Sequence, residues 1–141
     1  MRSIEETTVA VLGQGYVGLP VAIRASEVGF NVIGFDTDDR KVSALLSGKS
    51  HVEDISDATI AHALSDLSYR PTSCSHDLTG FDIAIISVPT PLTNNAPDLS
   101  FIESAVDLLS SHLRPGATVI LESTTYPVSY THLTLPTKRI V

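Results

Sequence analysis

Short, almost wholly apolar runs alternate along the chain with segments whose apolar residues recur every three or four positions. The recurring pattern is typical of a helix that packs one face on a core, whereas an apolar run is typical of a strand buried on both faces. The alternation therefore predicts an α/β domain with a doubly wound parallel sheet and flanking helices. The predicted strands are 9–12, 31–36, 69–73, 82–88 and 118–121.

Polar residues predict where several helices begin. Thr37 or Asp38 is placed to cap the second helix, and Ser56 is placed to cap the third. Ser100 with Glu103 forms a capping-box pattern for the last helix. Residues 92–97, just before that helix, are predicted to be a loop.

The first predicted strand leads directly into a glycine-rich turn, Gly-Gln-Gly-Tyr-Val-Gly at residues 13–18, and then into a helix. The next strand ends in Asp36. A dinucleotide needs backbone N–H groups at a helix N-terminus for its pyrophosphate and an acceptor at the tip of the neighbouring strand for its adenosine ribose. Because strand, turn, helix, strand and acid occur in this order, the segment predicts a Rossmann-type dinucleotide site rather than an ordinary turn.

Each glycine has a separate expected role in this site. Gly13 allows a sharp turn out of the strand, and Gly15 has no Cβ to block an approaching pyrophosphate. Gly18 lets the helix pack closely on the sheet.

The carboxylate of Asp36 favours NAD over NADP, since it accepts a hydrogen bond from a ribose 2′-OH and repels a 2′-phosphate. Arg40 and Lys41 follow closely. Either could face a phosphate, and the alternative is that both are solvated helix surface.

Composition narrows the classes of partner. The chain has 141 residues, 43% of them hydrophobic, and a formal net charge of −7. Such an acidic domain without a Lys/Arg cluster is a poor binder of nucleic acid or of anionic membranes. No apolar run approaches a membrane-spanning length and the first residues lack the apolar core of a signal peptide, so a cytoplasmic location is expected.

The cysteine and histidines give no sign of a metal site. Cys74 is the only cysteine, so no disulfide and no thiolate cluster is expected. The five histidines show neither pairing nor carboxylate spacing typical of a metal site.

Ligands of open α/β sheets bind outside the carboxyl ends of the strands. Three segments are predicted to lie there: the glycine turn, Val-Pro-Thr-Pro at 88–91 and Glu-Ser-Thr-Thr at 122–125. The hydroxyls of Thr90 and Thr124 are therefore candidates for contacts near a nicotinamide ribose. From the residues alone, the alternative that both threonines bond to the local backbone stays open.

The ordered set of motifs closely resembles the UDP-glucose/GDP-mannose dehydrogenase family. The motifs are Gly-Gln-Gly-Tyr-Val-Gly-Leu-Pro at 13–20, Val-Pro-Thr-Pro at 88–91, Pro-Asp-Leu-Ser at 97–100 and Glu-Ser-Thr-Thr-Tyr-Pro at 122–127. The resemblance covers nearly everything from Thr7 to Pro127. Within the family, residues 52–57 and 122–127 look most like UDP-N-acetylglucosamine 6-dehydrogenases, and the UDP-N-acetylmannosamine and UDP-glucose enzymes match less well.

The resemblance implies the NAD-binding domain of an enzyme that oxidises the C6 alcohol of a UDP-sugar, expected to be a UDP-N-acetylhexosamine, to a uronate. The family does so in two NAD-dependent hydride transfers through cysteine-bound intermediates. By resemblance, the backbone around Tyr16 and Val17 holds the pyrophosphate, Asp36 the adenosine ribose, and Lys41, with Arg40 one residue off, contacts the cofactor. Thr90 and Thr124 match threonines near the nicotinamide. The expected NAD-binding residues are Gly13, Gln14, Gly15, Tyr16, Val17, Gly18, Asp36, Arg40, Lys41, Val88, Pro89, Thr90, Ser123 and Thr124.

The family's catalytic cysteine, its lysine and asparagine partners and its sugar-binding domain are expected downstream of the residues present here. Cys74 lies in the wrong region and lacks the family's glycine-rich setting. We therefore expect this chain to bind NAD and to catalyse no reaction by itself. The UDP-sugar is expected to bind through the missing domain, and the full-length protein is expected to form a homodimer or a larger oligomer.

Residues 1–127 are predicted to be the NAD-binding domain, cut short, and residues 128–141 a non-native tail. Relatives continue with Gly-Thr-Thr and a helix after the equivalent of Pro127, whereas this chain continues with Val-Ser-Tyr-Thr-His-Leu-Thr-Leu-Pro-Thr. That stretch can be encoded by a transposon-end adapter used in sequencing libraries. The hypothesis is that translated adapter truncated the reading frame, and the alternative is a divergent terminus.

Two other classes of protein can carry such a glycine turn. One is the NAD-binding domain of a hydroxyacid or 6-phosphogluconate-type dehydrogenase, which is not expected to carry the motifs at 88–91 and 122–127 together. The other is a non-catalytic NAD-binding module, and the predicted truncation argues against it because truncation explains the short chain.

Overall fold

The computed structural model describes residues 3–122. In chain order, the strands are β1 (Thr8–Leu12), β2 (Asn31–Phe35), β3 (Tyr69–Thr72), β4 (Ile83–Ile86), β5 (Leu92–Thr93), β6 (Ala96–Pro97) and β7 (Thr118–Leu121). The α-helices are α1 (Gly18–Val28), α2 (Asp39–Leu46), α3 (Asp57–Ser65) and α4 (Ser100–Ser110), with short 3-10 helices at Ile4–Glu6 and Ser75–Leu78.

Five of the strands form a parallel sheet in the order β3-β2-β1-β4-β7. Central β1 pairs with β2, where Val9 lies opposite Val32, and with β4, where Val9 lies opposite Ile83. The chain runs outward from β1 to β3 on one side, returns to β4 on the other side and continues to β7. The predicted doubly wound sheet is therefore confirmed, and its switch point lies between the ends of β1 and β4, where such sheets bind ligands.

Both faces of the sheet are buried, which explains why the strands are apolar at successive positions. On one face, Ala10 and Leu12 belong to the cluster that contains Ile102 and Leu109 of α4. On the other face, Val9 and Val11 of β1 pack in the cluster formed with α1 and α3. Helices on both faces thus hold β1 rigidly below the turn that follows it.

The predicted caps of the second and third helices are confirmed. Asp38 accepts hydrogen bonds from the N–H groups of Arg40 and Lys41 at the start of α2. Ser56 accepts one from the Thr59 N–H, at 3.1 Å, at the start of α3. Both side chains satisfy donors that the first helical turn leaves without an intrahelical partner.

The predicted loop at residues 92–97 was wrong in part, because β5 and β6 pair there as an antiparallel hairpin. Asn94 and Asn95 form its tip with φ angles of 54° and 64°. Asparagine tolerates this left-handed region better than other side chains, and two such residues make the tight turn that joins short antiparallel strands. The Asn-Asn pair was the missed signal.

The predicted capping box of α4 was also wrong. Ser100 is the first residue inside the helix, and its side chain does not cap it. Instead, the Asp98 carboxylate accepts a hydrogen bond from the Ser100 N–H at 2.9 Å. Hydrogen bonds from Ser100 hold the pKa of the exposed Asp98 carboxyl below its usual value. A charged acceptor two residues earlier thus displaces the serine hydroxyl from the capping role.

Within residues 3–122, no helix is long and apolar enough to cross a membrane. The boundary predicted at residue 127 and the predicted tail at 128–141 lie outside the described residues.

Candidate dinucleotide-binding site

A cavity of about 510 Å³ opens at the carboxyl ends of β1, β2 and β4. Its lining comes from four segments: the glycine turn, the end of β2 with the start of α2, the end of β4, and one face of α4. The residues are Leu12, Gly13, Gly15, Tyr16, Val17, Phe35, Asp36, Thr37, Lys41, Ser87, Val88, Pro89, Phe101, Ser104, Ala105 and Leu108. The predicted site and the topological switch point therefore coincide.

Gly13 makes the sharp exit from β1 that the sequence predicts. Its φ is +95°, a conformation that favours glycine, and a Cβ there would lie 2.5 Å from the Ser87 carbonyl oxygen. The Gly13 N–H donates to the Phe35 carbonyl at 2.8 Å. The first residue of the turn is therefore fixed between the ends of β2 and β4.

Gly15 and Gly18 are glycines for opposite reasons. A Cβ on Gly15 would meet no atom within 4 Å, so this glycine faces open space at the cavity. A Cβ on Gly18 would overlap the Gly13 carbonyl oxygen and lie 2.5 Å from the Ser87 hydroxyl. Gly18 thus serves close packing within the protein, whereas the space at Gly15 is suited to a ligand that approaches the backbone.

The N-terminus of α1 points to an anion as that ligand. The helix begins at Gly18, its N-cap residue is Val17, and no side chain caps it. The first N–H groups of a helix have no intrahelical partner, and the helix dipole favours negative charge there. Tyr16 and Val17, which line the cavity and are 78% and 55% exposed, present this end to the ligand. A pyrophosphate fits this arrangement.

Asp36 lies at the tip of β2 on the cavity wall, with a side chain only 11% exposed. Its Oδ2 accepts a hydrogen bond from the Gln14 N–H at 2.8 Å, and its Oδ1 accepts one from the Asp38 N–H at 3.0 Å. The Lys41 Nζ is 3.5 Å from Oδ2. These contacts fix the carboxylate, and because a carboxylate offers about four lone-pair positions, capacity is left for a ribose hydroxyl.

The structure separates the two basic candidates. Lys41 lines the cavity and pairs with Asp36, whereas Arg40 is exposed and does not line the cavity. Lys41 is thus in position to meet a cofactor, and the surface alternative fits Arg40.

Gln14 does not lie where the sequence-based expectation put it. Its side chain is fully buried behind the turn and does not line the cavity. The Nε2 group donates to the carbonyls of Val11 and Gly13, and Oε1 accepts from the Tyr69 hydroxyl at 2.6 Å. Burial raises the pKa of the Tyr69 phenol, and the nearby Asp36 charge raises it further, so the phenol stays protonated as the donor.

The segment after β4 is brought to the cavity only in part. Val88 and Pro89 line it, whereas Thr90 does not. Ser123 and Thr124 lie outside the described residues, so their expected contacts stay predictions.

One wall of the cavity was not foreseen from the sequence. It is formed by Phe101, Ser104, Ala105 and Leu108, which lie on one face of α4. A different face of this helix packs in the core through Ile102 and Leu109. The spacing 101, 104, 105, 108 is itself helical and was the available signal for a second face.

No group of three or more potential metal ligands occurs within residues 3–122. The charged and dipolar groups at the cavity are the N-terminus of α1, the Asp36–Lys41 pair and the backbone of the turn. These features fit a dinucleotide: an open approach to backbone at Gly15, an anion site at α1 and an acid at the tip of β2.

The fold and the site together define a dinucleotide-binding domain of the Rossmann type. Residues 7–139 match the UDP-glucose/GDP-mannose dehydrogenase family, NAD binding domain. The chain belongs to this family, and its cofactor is NAD. The match extends past residue 127, and the domain boundary predicted there stays a prediction.

Individual relatives agree with this assignment. The chain is 38% identical over 120 residues to the UDP-N-acetyl-D-mannosamine dehydrogenase of Pyrococcus horikoshii, covering 84% of this chain and 29% of that protein. It is 34% identical over 125 residues to the UDP-N-acetyl-D-glucosamine 6-dehydrogenase of Pseudomonas aeruginosa, and the match covers 88% of this chain and 29% of that protein. The solved structure of the Pyrococcus horikoshii enzyme superposes with a TM-score of 0.86 at 36% identity, covering 90% of this chain and 31% of that one.

The chain thus spans about 30% of the length of these relatives. These relatives include a UDP-N-acetylmannosamine enzyme and a UDP-N-acetylglucosamine enzyme. The identity to the mannosamine enzyme, 38%, is higher than the 34% identity to the glucosamine enzyme. The identities do not reproduce the sequence-based preference for the glucosamine enzymes.

Proposed function

We propose that this chain is the cofactor-binding part of a nucleotide-sugar 6-dehydrogenase, which oxidises the C6 alcohol of a UDP-N-acetylhexosamine to a uronate with two NAD. The observation that carries the proposal is the meeting of Gly15, the uncapped α1 N-terminus and Asp36 on one cavity. Two of the relatives are named as dehydrogenases of such UDP-sugars. The proposal extends their activity to the whole protein of which this chain is a part.

Bound NAD supplies the acceptor for a hydride from the sugar. The N–H groups around Tyr16 and Val17 would hold its pyrophosphate, since they stand at the positive end of α1. Asp36 would accept from the adenosine ribose and Lys41 would stand beside it. Val88 and Pro89 would contact the cofactor at the end of β4, with Thr90, Ser123 and Thr124 proposed toward the nicotinamide.

We further propose that the chain alone has no dehydrogenase activity. Within residues 3–122 no cysteine lines the cavity, and Cys74 is exposed at the end of β3. A thiol nucleophile must reach the sugar carbon next to the nicotinamide, so the side chain that performs this chemistry would have to come from elsewhere in the protein. The sugar site and any dimer contact are proposed to lie there too.

The test compares this chain with the protein that includes the gene's continuation past residue 127. Both are titrated with NAD and NADP, and both are assayed for NADH release with UDP-N-acetylglucosamine, UDP-N-acetylmannosamine and UDP-glucose. We expect NAD to bind more tightly than NADP in both. The longer protein should release two NADH per uronate, and this chain none.

Other outcomes would each reject a stated part. Turnover by this chain alone would disprove its inactivity. Oxidation of hydroxy acids but not of UDP-sugars by the longer protein would disprove the substrate class. NAD binding without turnover of any of these substrates by the longer protein would favour a non-catalytic binding module.

A further inference from the structure

Gln14 is the second residue of the glycine turn, yet each of its polar groups forms a hydrogen bond with another residue of the protein and none faces the cavity. Its N–H donates to Asp36, and its carbonyl accepts from the His51 ring. Its side-chain amide donates to Val11 and Gly13, while its Oε1 accepts from Tyr69. A residue so placed does not touch a ligand, but it fixes groups that do.

The bond between Gln14 and Tyr69 crosses the sheet. Gln14 follows β1, Tyr69 begins β3, and β2 lies between them. The bond passes β2 at Gly34, where a Cβ would lie 2.5 Å from the Gln14 Oε1 and 2.8 Å from the Tyr69 hydroxyl. Glycine in the interior of a strand weakens it, so its presence here has a packing reason: it makes room for this hydrogen bond.

Both partners are well suited to a strong and permanent bond. Tyr69 is 1% exposed and Gln14 is 0% exposed, so water does not compete. The phenol stays protonated because its pKa is raised by burial, and the amide oxygen accepts at every pH. The direction of donation is therefore fixed.

Two groups that face the cofactor depend on the position of Gln14. The Gln14 N–H holds Asp36 Oδ2, which orients the carboxylate that meets the ribose. The Gln14 amide and the Ser87 hydroxyl both donate to the Gly13 carbonyl, which fixes the peptide between Gly13 and Gln14 at the start of the turn. A shift of Gln14 would therefore displace the ribose acceptor and the phosphate-binding backbone together.

We propose that Gln14 and Tyr69 are positioning residues for NAD, and that their hydrogen bond across Gly34 sets the geometry of the glycine turn and of Asp36. The proposal rests on the NAD site described above and adds two residues that do not themselves contact the cofactor. It also assigns Gln14 a role different from the direct contact expected from its place in the motif.

The test uses the full chain and the variants Tyr69→Phe, Gln14→Met and the double variant. NAD dissociation constants are measured by calorimetric titration and Tm by thermal unfolding. Tyr69→Phe removes only the bond to the Gln14 Oε1 and should weaken NAD binding about five- to tenfold. Gln14→Met also removes the two bonds that Nε2 donates, so it should weaken NAD binding at least as much. The double variant should bind no more weakly than the weaker single variant, because the two residues act as one unit.

The matched control is Ser26→Ala. Ser26 is also buried and donates to the Ile23 carbonyl at 2.8 Å, but it lies in the last turn of α1 and does not line the cavity. We expect it to lower Tm and to leave the NAD dissociation constant unchanged. A purely structural role of Gln14 and Tyr69 would give the same result as this control.

The outcomes separate the two proposals. If wild type binds NAD and Tyr69→Phe and Gln14→Met bind it within twofold of wild type, the positioning role is rejected and the NAD site stands. If wild type does not bind NAD, both are rejected. Should a single variant not fold, the double variant decides, since replacing both partners by apolar groups leaves neither of them unpaired: wild-type affinity there rejects the positioning role, and weakened affinity supports it.

Discussion

The two walls of the candidate dinucleotide cavity are built in different ways. The glycine-turn wall, residues 13–18 with Asp36, presents mainly backbone and one carboxylate. Hydrogen bonds with Phe35 of β2, with Tyr69 of β3 and with Ser87 just after β4 hold it. The α4 wall, residues 101, 104, 105 and 108, is made mainly of side chains, among which Phe101 is 45% exposed. Phosphate and ribose need donors and acceptors in fixed directions, whereas an apolar ring needs only area, because the hydrophobic effect is not directional.

The largest expected effect distinguishes two glycines of the turn wall. Gly18→Ala should lower the free energy of unfolding by about 3 kcal/mol or more, because its Cβ would overlap the backbone of Gly13. Gly15→Ala should leave that free energy nearly unchanged, since its Cβ would meet no protein atom, and should weaken NAD binding about ten- to a hundredfold. Denaturant unfolding and NAD titration of both variants measure the two effects.

This pair tests whether the space at Gly15 belongs to the ligand. Undiminished NAD affinity in Gly15→Ala would mean that the pyrophosphate does not approach the turn there. Normal stability of Gly18→Ala would contradict the tight packing of α1 against the turn.

A smaller effect is expected from the charge of the turn wall. Asp36→Asn should weaken NAD binding about tenfold and reduce the preference for NAD over NADP, because the charged acceptor and its repulsion of a 2′-phosphate are both removed. The matched control is Asp39→Asn, which removes the same charge from an exposed position in the first turn of α2 that does not line the cavity.

Titration of both variants with NAD and NADP measures the two dissociation constants and hence the preference for NAD. Equal changes in the two variants would attribute the preference to net charge rather than to Asp36.

The smallest effect is expected at the α4 wall. Phe101→Ala removes part of an apolar surface and should weaken NAD binding about three- to fivefold with little change in Tm, since the ring is half exposed. Leu92→Ala in the hairpin is the control, because Leu92 is 73% exposed and does not line the cavity. A loss at Phe101 as large as that at Asp36 would show that the α4 wall is as directional as the turn wall.

The turn wall was predictable because its chemistry is local in sequence. The glycine spacing, the strand before it and Asp36 all depend on neighbours along the chain, and in the structure Gly13, Gly15 and Asp36 line one cavity. The caps at Asp38 and Ser56 were predictable for the same reason.

The features of the site that the sequence did not predict depend mainly on contacts between distant parts of the chain. The bond from Gln14 to Tyr69 spans 55 positions, so the motif alone could not show that Gln14 turns away from the cavity. The α4 wall required knowledge of where the helix sits over the sheet, although its spacing was visible. At the start of α4, two local signals competed, and Asp98 capped in place of Ser100 because a carboxylate is the stronger acceptor.

Gly34 has a consequence for how sequences of this domain can change over evolutionary time. A side chain at position 34 is excluded while either Gln14 or Tyr69 is in place, because a Cβ there would lie 2.5 Å from the Gln14 Oε1 and 2.6 Å from the Tyr69 Cε1. An apolar residue at position 14 would remove the acceptor, and the ban on a Cβ at position 34 would then relax only if the tyrosine also changed. Substitutions at these three positions therefore depend on one another, and their order matters: Gln14 and Tyr69 must both change before Gly34 can be replaced.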